Sequence, residues 1–154
     1  MSGYIMDLRK IVGHRPLLQV GASVILEDKQ GRVLLQKRTD NHCWGYPGGS
    51  TDLDERVEDA AARELFEETG YGNGTWKMNM KMSTNPSTNA NWTYNFIAED
   101  VELLDSKQHL DGGECLTVHL LTLDEIKRLL KENGIIQSLH ACALWKYIAE
   151  NHLL

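Results

Sequence analysis

Hydrophobic positions recur along this chain with two different periods, and the changes of period mark its elements. Residues 17–26 are nearly all apolar and predict a buried strand, and residues 32–38 predict a second, with Asp28-Lys-Gln-Gly31 turning between them as a hairpin. Residues 41–52 hold too many Gly and turn formers for regular structure and predict a loop. A helix is expected from about Leu53, with Asp52 and Glu55 at capping-box spacing, Val57, Ala60, Ala61 and Leu65 on its packing face, and Gly70 as its stop. Residues 76–82 and 91–98 alternate apolar and polar and predict strands, joined by residues 85–91. Residues 115–121 predict another strand. Thr122 and Glu125 then open a helix running toward Lys131 that Gly134 stops, and Leu139, Cys142, Ala143, Trp145 and Ile148 give a closing amphipathic helix. Strands interleaved with helices in this mixed order predict an α/β sandwich rather than a bundle.

Composition narrows the class. A chain of 154 residues suits a single domain over residues 1–154, with 42% hydrophobic and 25% charged residues as in an ordinary soluble protein. Its apolar runs fall far short of a membrane span, and its first residues lack a signal-peptide pattern, so a cytoplasmic location is expected. Cys43, Cys115 and Cys142 form no Cys-x-x-Cys pair and are expected as reduced core thiols. A net charge of −6 argues against a broad nucleic-acid footprint while leaving a small anion bridged by metal compatible.

The helix ending at Gly70 carries charge where a helix least favours it. Glu64, Glu67 and Glu68 fall in its final turns, at the negative end of the dipole. Their spacings of three and four put them on one face, where like charges repel by ~0.2–0.5 kcal/mol per pair. A divalent cation bound by oxygen ligands is the simplest compensation, and it points to an enzyme that handles phosphates. The plain alternative is a solvated helix face.

From Gly49 the chain reads Gly, five residues, Glu55, seven residues, Arg63-Glu64-Leu65, Phe66, Glu67-Glu68, Thr69, Gly70 and Tyr71. This resembles a complete Nudix box, residues 49–71, and Trp44-Gly-Tyr-Pro-Gly-Gly49 is similar to that family's usual lead-in. Tyr71 departs from it, standing where an aliphatic residue is usual. The resemblance implies a Nudix fold over roughly residues 16–150, with a mixed β-sheet sandwiched between helices (α/β/α). It implies hydrolysis of a nucleoside diphosphate linked to another group, with Mg2+ or Mn2+. Glu64, Glu67 and Glu68 would then coordinate metal with the Gly48 carbonyl, Arg63 would orient the glutamates, and Glu55 could be mostly structural.

The C-terminal third, from Asp111-Gly-Gly-Glu114 through residues 133–143, is similar to the ending of ADP-ribose pyrophosphatases, and Pro86 lies near where ADP-ribose-cleaving members carry a proline. That likeness makes Glu114 the candidate for activating the water and ADP-ribose or another nucleoside diphosphate sugar the favoured substrate. Against it, only some fifteen residues precede the first strand, where those enzymes have an extended segment that pairs subunits. Nucleoside triphosphates and dinucleoside polyphosphates stay open, as do a homodimer and a non-catalytic nucleotide-sensing module. Trp44, Tyr46 and Trp92 could stack on a base or simply pack. His119 reads as structural, His42 and His109 as loop residues able to touch phosphate, and Met78, Met80 and Met82 as core filling.

Overall fold

The computed structural model describes residues 4–87 and 91–152. Its elements run α1 (Tyr4–Val12), β1 (Val20–Leu26), β2 (Val33–Arg38), β3 (Trp44–Gly45), β4 (Gly48–Ser50), α2 (Val57–Thr69), β5 (Tyr71–Gly72), β6 (Thr75–Met82), β7 (Trp92–Glu99), β8 (Glu102–Leu103), β9 (Leu116–Leu121), α3 (Leu123–Lys131) and α4 (Ser138–Asn151). A mixed sheet in the order β4-β1-β7-β6 holds the parallel pair β1 and β7, and a second sheet runs β3-β2-β9. Among the described residues no helix is long and apolar enough to cross a membrane.

The near-continuous apolar run of β1 has a direct structural cause. Val24 and Leu26 pack with Leu34, Ala98 and Leu65 of α2, while Ile25, between them in sequence, packs on the opposite face with Ile126 of α3 and Leu144 and Ile148 of α4. Burial on both faces removes any need for alternation. Each fully buried aliphatic side chain contributes about 1.5–3 kcal/mol, so this double-sided layer is the main source of cohesion. The result is the expected α/β/α arrangement.

Several local expectations need correction. The turn at Asp28–Gly31 is present, with Gly31 at φ 73°, but β1 and β2 share only the Glu27–Val33 bridge before entering different sheets. The loop 41–52 contains β3 and β4, because β2 and β1 supply the hydrogen-bonding edges that its own sequence does not announce. Helix α2 starts at Val57, not Leu53: Asp54 takes φ 61°, and the Asp52 carboxylate accepts the Tyr4 N–H instead of capping. Only half of that capping box forms, Glu55 accepting the Asp52 N–H at 2.9 Å.

Helix α1 and the pair β5–β8 had no counterpart in the sequence pattern. In β6 a register shift between Met78 and Met80 turns Asn79 inward, so Met82 is buried but Met78 is 52% exposed and fills no core. The cysteines are free, yet Cys115 and Cys142 lie on the surface rather than in the core. The connection 85–91 is described at its two ends, residues 88–90 lying outside the described residues.

Candidate active site

Helix α2 packs across β1 and β4, which sets its acidic final turns against the Gly48–Gly49 backbone. Glu68 is only 5% exposed; its Oε2 accepts the Gln36 Nε2–H at 2.7 Å and the Gly48 N–H at 3.1 Å. Glu64 lies directly over Gly49, where a Cβ would overlap its carboxylate and push that side chain aside. Glu67 is more open, with its side chain 40% exposed.

Arg63 ties the cluster together. Its guanidinium donates to both oxygens of Glu55 (2.8 and 3.0 Å), to Glu64 (2.9 Å), to Glu67 (3.2 Å) and to the Ser50 carbonyl (3.0 Å). These contacts use the whole fork of donors that a lysine could not reproduce. Glu55, held below its usual range by Arg63, thereby acts as the anchor that aims the guanidinium.

Burial leaves the cluster short of positive charge. It drives the Glu64 carboxyl up to about 7 against the pull of Arg63, with Glu67 and Glu114 adding repulsion. Glu68 is pushed up to about 8, again first by burial and then by Glu64 and Glu114, while Gln36 and the Gly48 amide pull the other way. Glu114 itself sits half-buried in a turn, its N–H bonded to the Asp111 carbonyl at 3.0 Å and its carboxylate accepting the Asp111 N–H at 3.3 Å.

Among the described residues no three acidic, His or Cys side chains converge in ligand geometry, since the carboxylates here engage Arg63, Gln36 and the Gly48 amide. The donor set still fits a hard dication. It is all oxygen, and it carries carboxylates that burial and mutual repulsion push toward protonation, a penalty that a dication removes.

Beside this cluster lies a cavity of about 260 Å³, floored by β1 and β4 from Gly21 to Ser23 and Gly48 to Ser50. Its polar wall consists of Gln19, Thr84, Asn91, Thr93, Gln137 and His140, and among the described residues no charged one lines it. Tyr46 also lines it, stacked on His140 at 4.1 Å and donating to the Leu139 carbonyl at 3.1 Å. Burial keeps His140 neutral, down at about 4. Behind the floor Ser23 is held by Asn95 (3.0 Å), which accepts from Asn79 (2.8 Å), itself donating to the Ala143 carbonyl of α4.

The other aromatic candidates stand apart from this cavity. Trp44 packs edge-on against His119 at 5.1 Å and under Lys37, and Trp92 is 42% exposed with Lys81 Nζ 4.3 Å above its ring. Pro86 lies in an exposed turn after β6. Gln36, Gln108 and His140 escaped the sequence reading, because a lone Gln or His carries no spacing signal.

Comparison with known proteins agrees with this geometry. The NUDIX domain model matches residues 17–142. A putative 8-oxo-dGTP diphosphatase of Bacillus subtilis (strain 168) is 49% identical over 51 residues, 33% of this chain and 34% of that protein, so the match spans about a third of that relative's length. An ADP-ribose pyrophosphatase of the same organism is 27% identical over 143 residues, 88% of this chain and 74% of that protein. A solved structure of an ADP compounds hydrolase shares the fold with a TM-score of 0.71 at 22% identity, covering 91% of this chain and 78% of that one.

Proposed function

The chain belongs to the NUDIX domain family, and from that membership we propose that it is a divalent-metal-dependent hydrolase of the diphosphate bond in a small nucleotide derivative. The observation that carries this reading is the buried carboxylate cluster on α2, oriented by Arg63 and set against the Gly48–Gly49 backbone. Glu64, Glu67 and Glu68, with the Gly48 backbone, would hold Mg2+ or Mn2+. Such an ion neutralises phosphate oxygens and lowers the pKa of an attacking water.

The remaining work falls to this chain's own residues. Arg63 holds the glutamates in one arrangement, so little reorganisation accompanies binding. Glu114, facing the same field of charge as Glu64 and Glu68, is the candidate to take the proton from the attacking water. The uncharged cavity suits the nucleoside part of a substrate, with amides and hydroxyls for hydrogen bonds and the stacked Tyr46–His140 rings as a flat aromatic wall.

ADP-ribose or another nucleoside diphosphate sugar is the favoured substrate, supported by the similarity over most of the chain to an ADP-ribose pyrophosphatase. A second reading, a nucleoside triphosphate, draws on the higher identity over a shorter stretch to the putative 8-oxo-dGTP diphosphatase. Product analysis separates them. Incubation with Mg2+ should convert ADP-ribose to AMP and ribose 5-phosphate; release of pyrophosphate from nucleoside triphosphates, with ADP-ribose left intact, would instead establish the second reading.

A further inference from the structure

Residues 104–109 come from between β8 and β9, yet they close off the end of α2 that carries the carboxylates. A helix leaves its last carbonyls without internal partners. Here the Phe66 carbonyl accepts the Gly70 N–H at 2.8 Å, the Glu67 carbonyl accepts the His109 N–H at 2.6 Å, and the Glu68 carbonyl accepts the Gln108 Nε2–H at 2.7 Å. The Gly70 carbonyl accepts from both Leu104 and Asp105, at 2.8 and 3.1 Å. Gly70, at φ 79°, lies so close to the Asp105 carbonyl that a side chain there would overlap it. The His109 ring stacks on Phe66 at 5.7 Å and bonds to Asp105 at 2.9 Å, pinning the segment flat against the helix.

Two properties set this strap apart from ordinary loop packing. It bonds the backbone of Glu67 and Glu68 themselves, so it acts on the peptide units from which the two carboxylates project. It also runs within two residues of Asp111, whose turn holds Glu114. One continuous segment thus ties together the two acidic groups that come from different parts of the sequence.

We infer that Gln108 is a positioning residue: its side-chain amide, bonded to the Glu68 carbonyl, fixes the last turn of α2 in register with the Glu114 loop and so sets the site's affinity for a divalent cation. The Gln108 amide is the only side-chain donor to this turn from the strap, and it sits at the surface, so its loss leaves the core intact. This inference rests on the metal-dependent reading of the site given above.

The test is a Mn2+ titration of the substrate-free protein followed by calorimetry or by electron paramagnetic resonance, together with amide hydrogen exchange over residues 64–70. In Gln108→Ala, Mn2+ affinity should fall about three- to tenfold, as expected for loss of one hydrogen bond of ordinary strength. Exchange in the last turn of α2 should accelerate while β1 and β7 keep their protection. Gln108→Met, of similar length and uncharged but without the donor, should show the same loss. Unchanged Mn2+ affinity in Gln108→Ala, with wild-type binding intact, overturns the inference and leaves the functional reading standing. Wild-type protein that neither binds Mn2+ nor hydrolyses any nucleotide overturns the functional reading, and the exchange rates then decide whether the strap orders the helix end: unchanged rates refute it.

Discussion

Helices α2 and α3 answer the same physical demands in opposite ways. Helix α3 has a complete capping box between Thr122 and Glu125, acidic residues in its first turn, and Arg128 and Lys131 in its last. Helix α2 has no side-chain cap at Arg56, no basic residue in its last turn, and carboxylates massed at its negative end. The first sequence serves the stability of the helix itself. The second is held by Arg63 of the helix itself and by its surroundings, namely Gln36, the Gly48 amide and the 104–109 strap, and that dependence on outside partners distinguishes a segment shaped by its chemistry.

The contrast can be broken most sharply at Glu68. Glu68→Gln keeps the size of the side chain and removes its charge, and turnover should fall ~10²-fold or more, since a metal site supplies several kcal/mol of charge stabilisation. Steady-state kinetics on the accepted substrate is the measurement, and near-normal hydrolysis by the folded variant would remove Glu68 from the site.

A smaller effect should appear in the pH dependence of the metal-free protein. Unfolded, Glu64 and Glu68 titrate near 4.5; folded, they titrate at about 7 and about 8. The folded state therefore binds more protons between these values. The stability these groups leave intact below pH 4.5 is lost as pH rises through 7 and 8, by an amount on the order of a few kcal/mol. Urea denaturation of metal-free protein at pH 5 and pH 8.5 should show this decline, and saturating Mg2+ should reverse it at the higher pH. A flat profile would mean that the carboxylates are not under strain.

The mildest expected change lies in α3. Thr122→Ala should lower stability by about 1 kcal/mol through loss of the cap, with kcat and metal requirement unchanged. A matching loss of activity would show that the two helices are not as separate as their sequences suggest.

These two helices also mark how far the sequence could be read. The cap at Thr122 and the stop at Gly70 depend on neighbours within a few residues, and both appear where the pattern places them. Helix α2 starts later than the pattern places it because Asp52, which looks like the cap, accepts the N–H of Tyr4 from 48 positions away, and Asp54 takes φ 61°. Strands β3 and β4 exist only because distant edges accept them, and Asn79 points inward only because a bulge shifts its register. Within the site the glutamates and Arg63 share one helix and could be read together. Gln36 and Gln108 reach Glu68 across 32 and 40 positions, and nothing local distinguishes them from any other glutamine.

The parallel pairing of β1 with β7 has a further consequence, for the order in which the molecule assembles. Ser23 and Asn95 meet across 72 positions, and α2 lies wholly inside the loop that their meeting closes. Closing so long a loop costs chain entropy before any contact repays it, so this step should be slow compared with formation of α2 or α3 alone. A chain still emerging from the ribosome can form the acidic helix early, whereas the sheet against which that helix packs, with β1 at its centre, is complete only once β7 has been made.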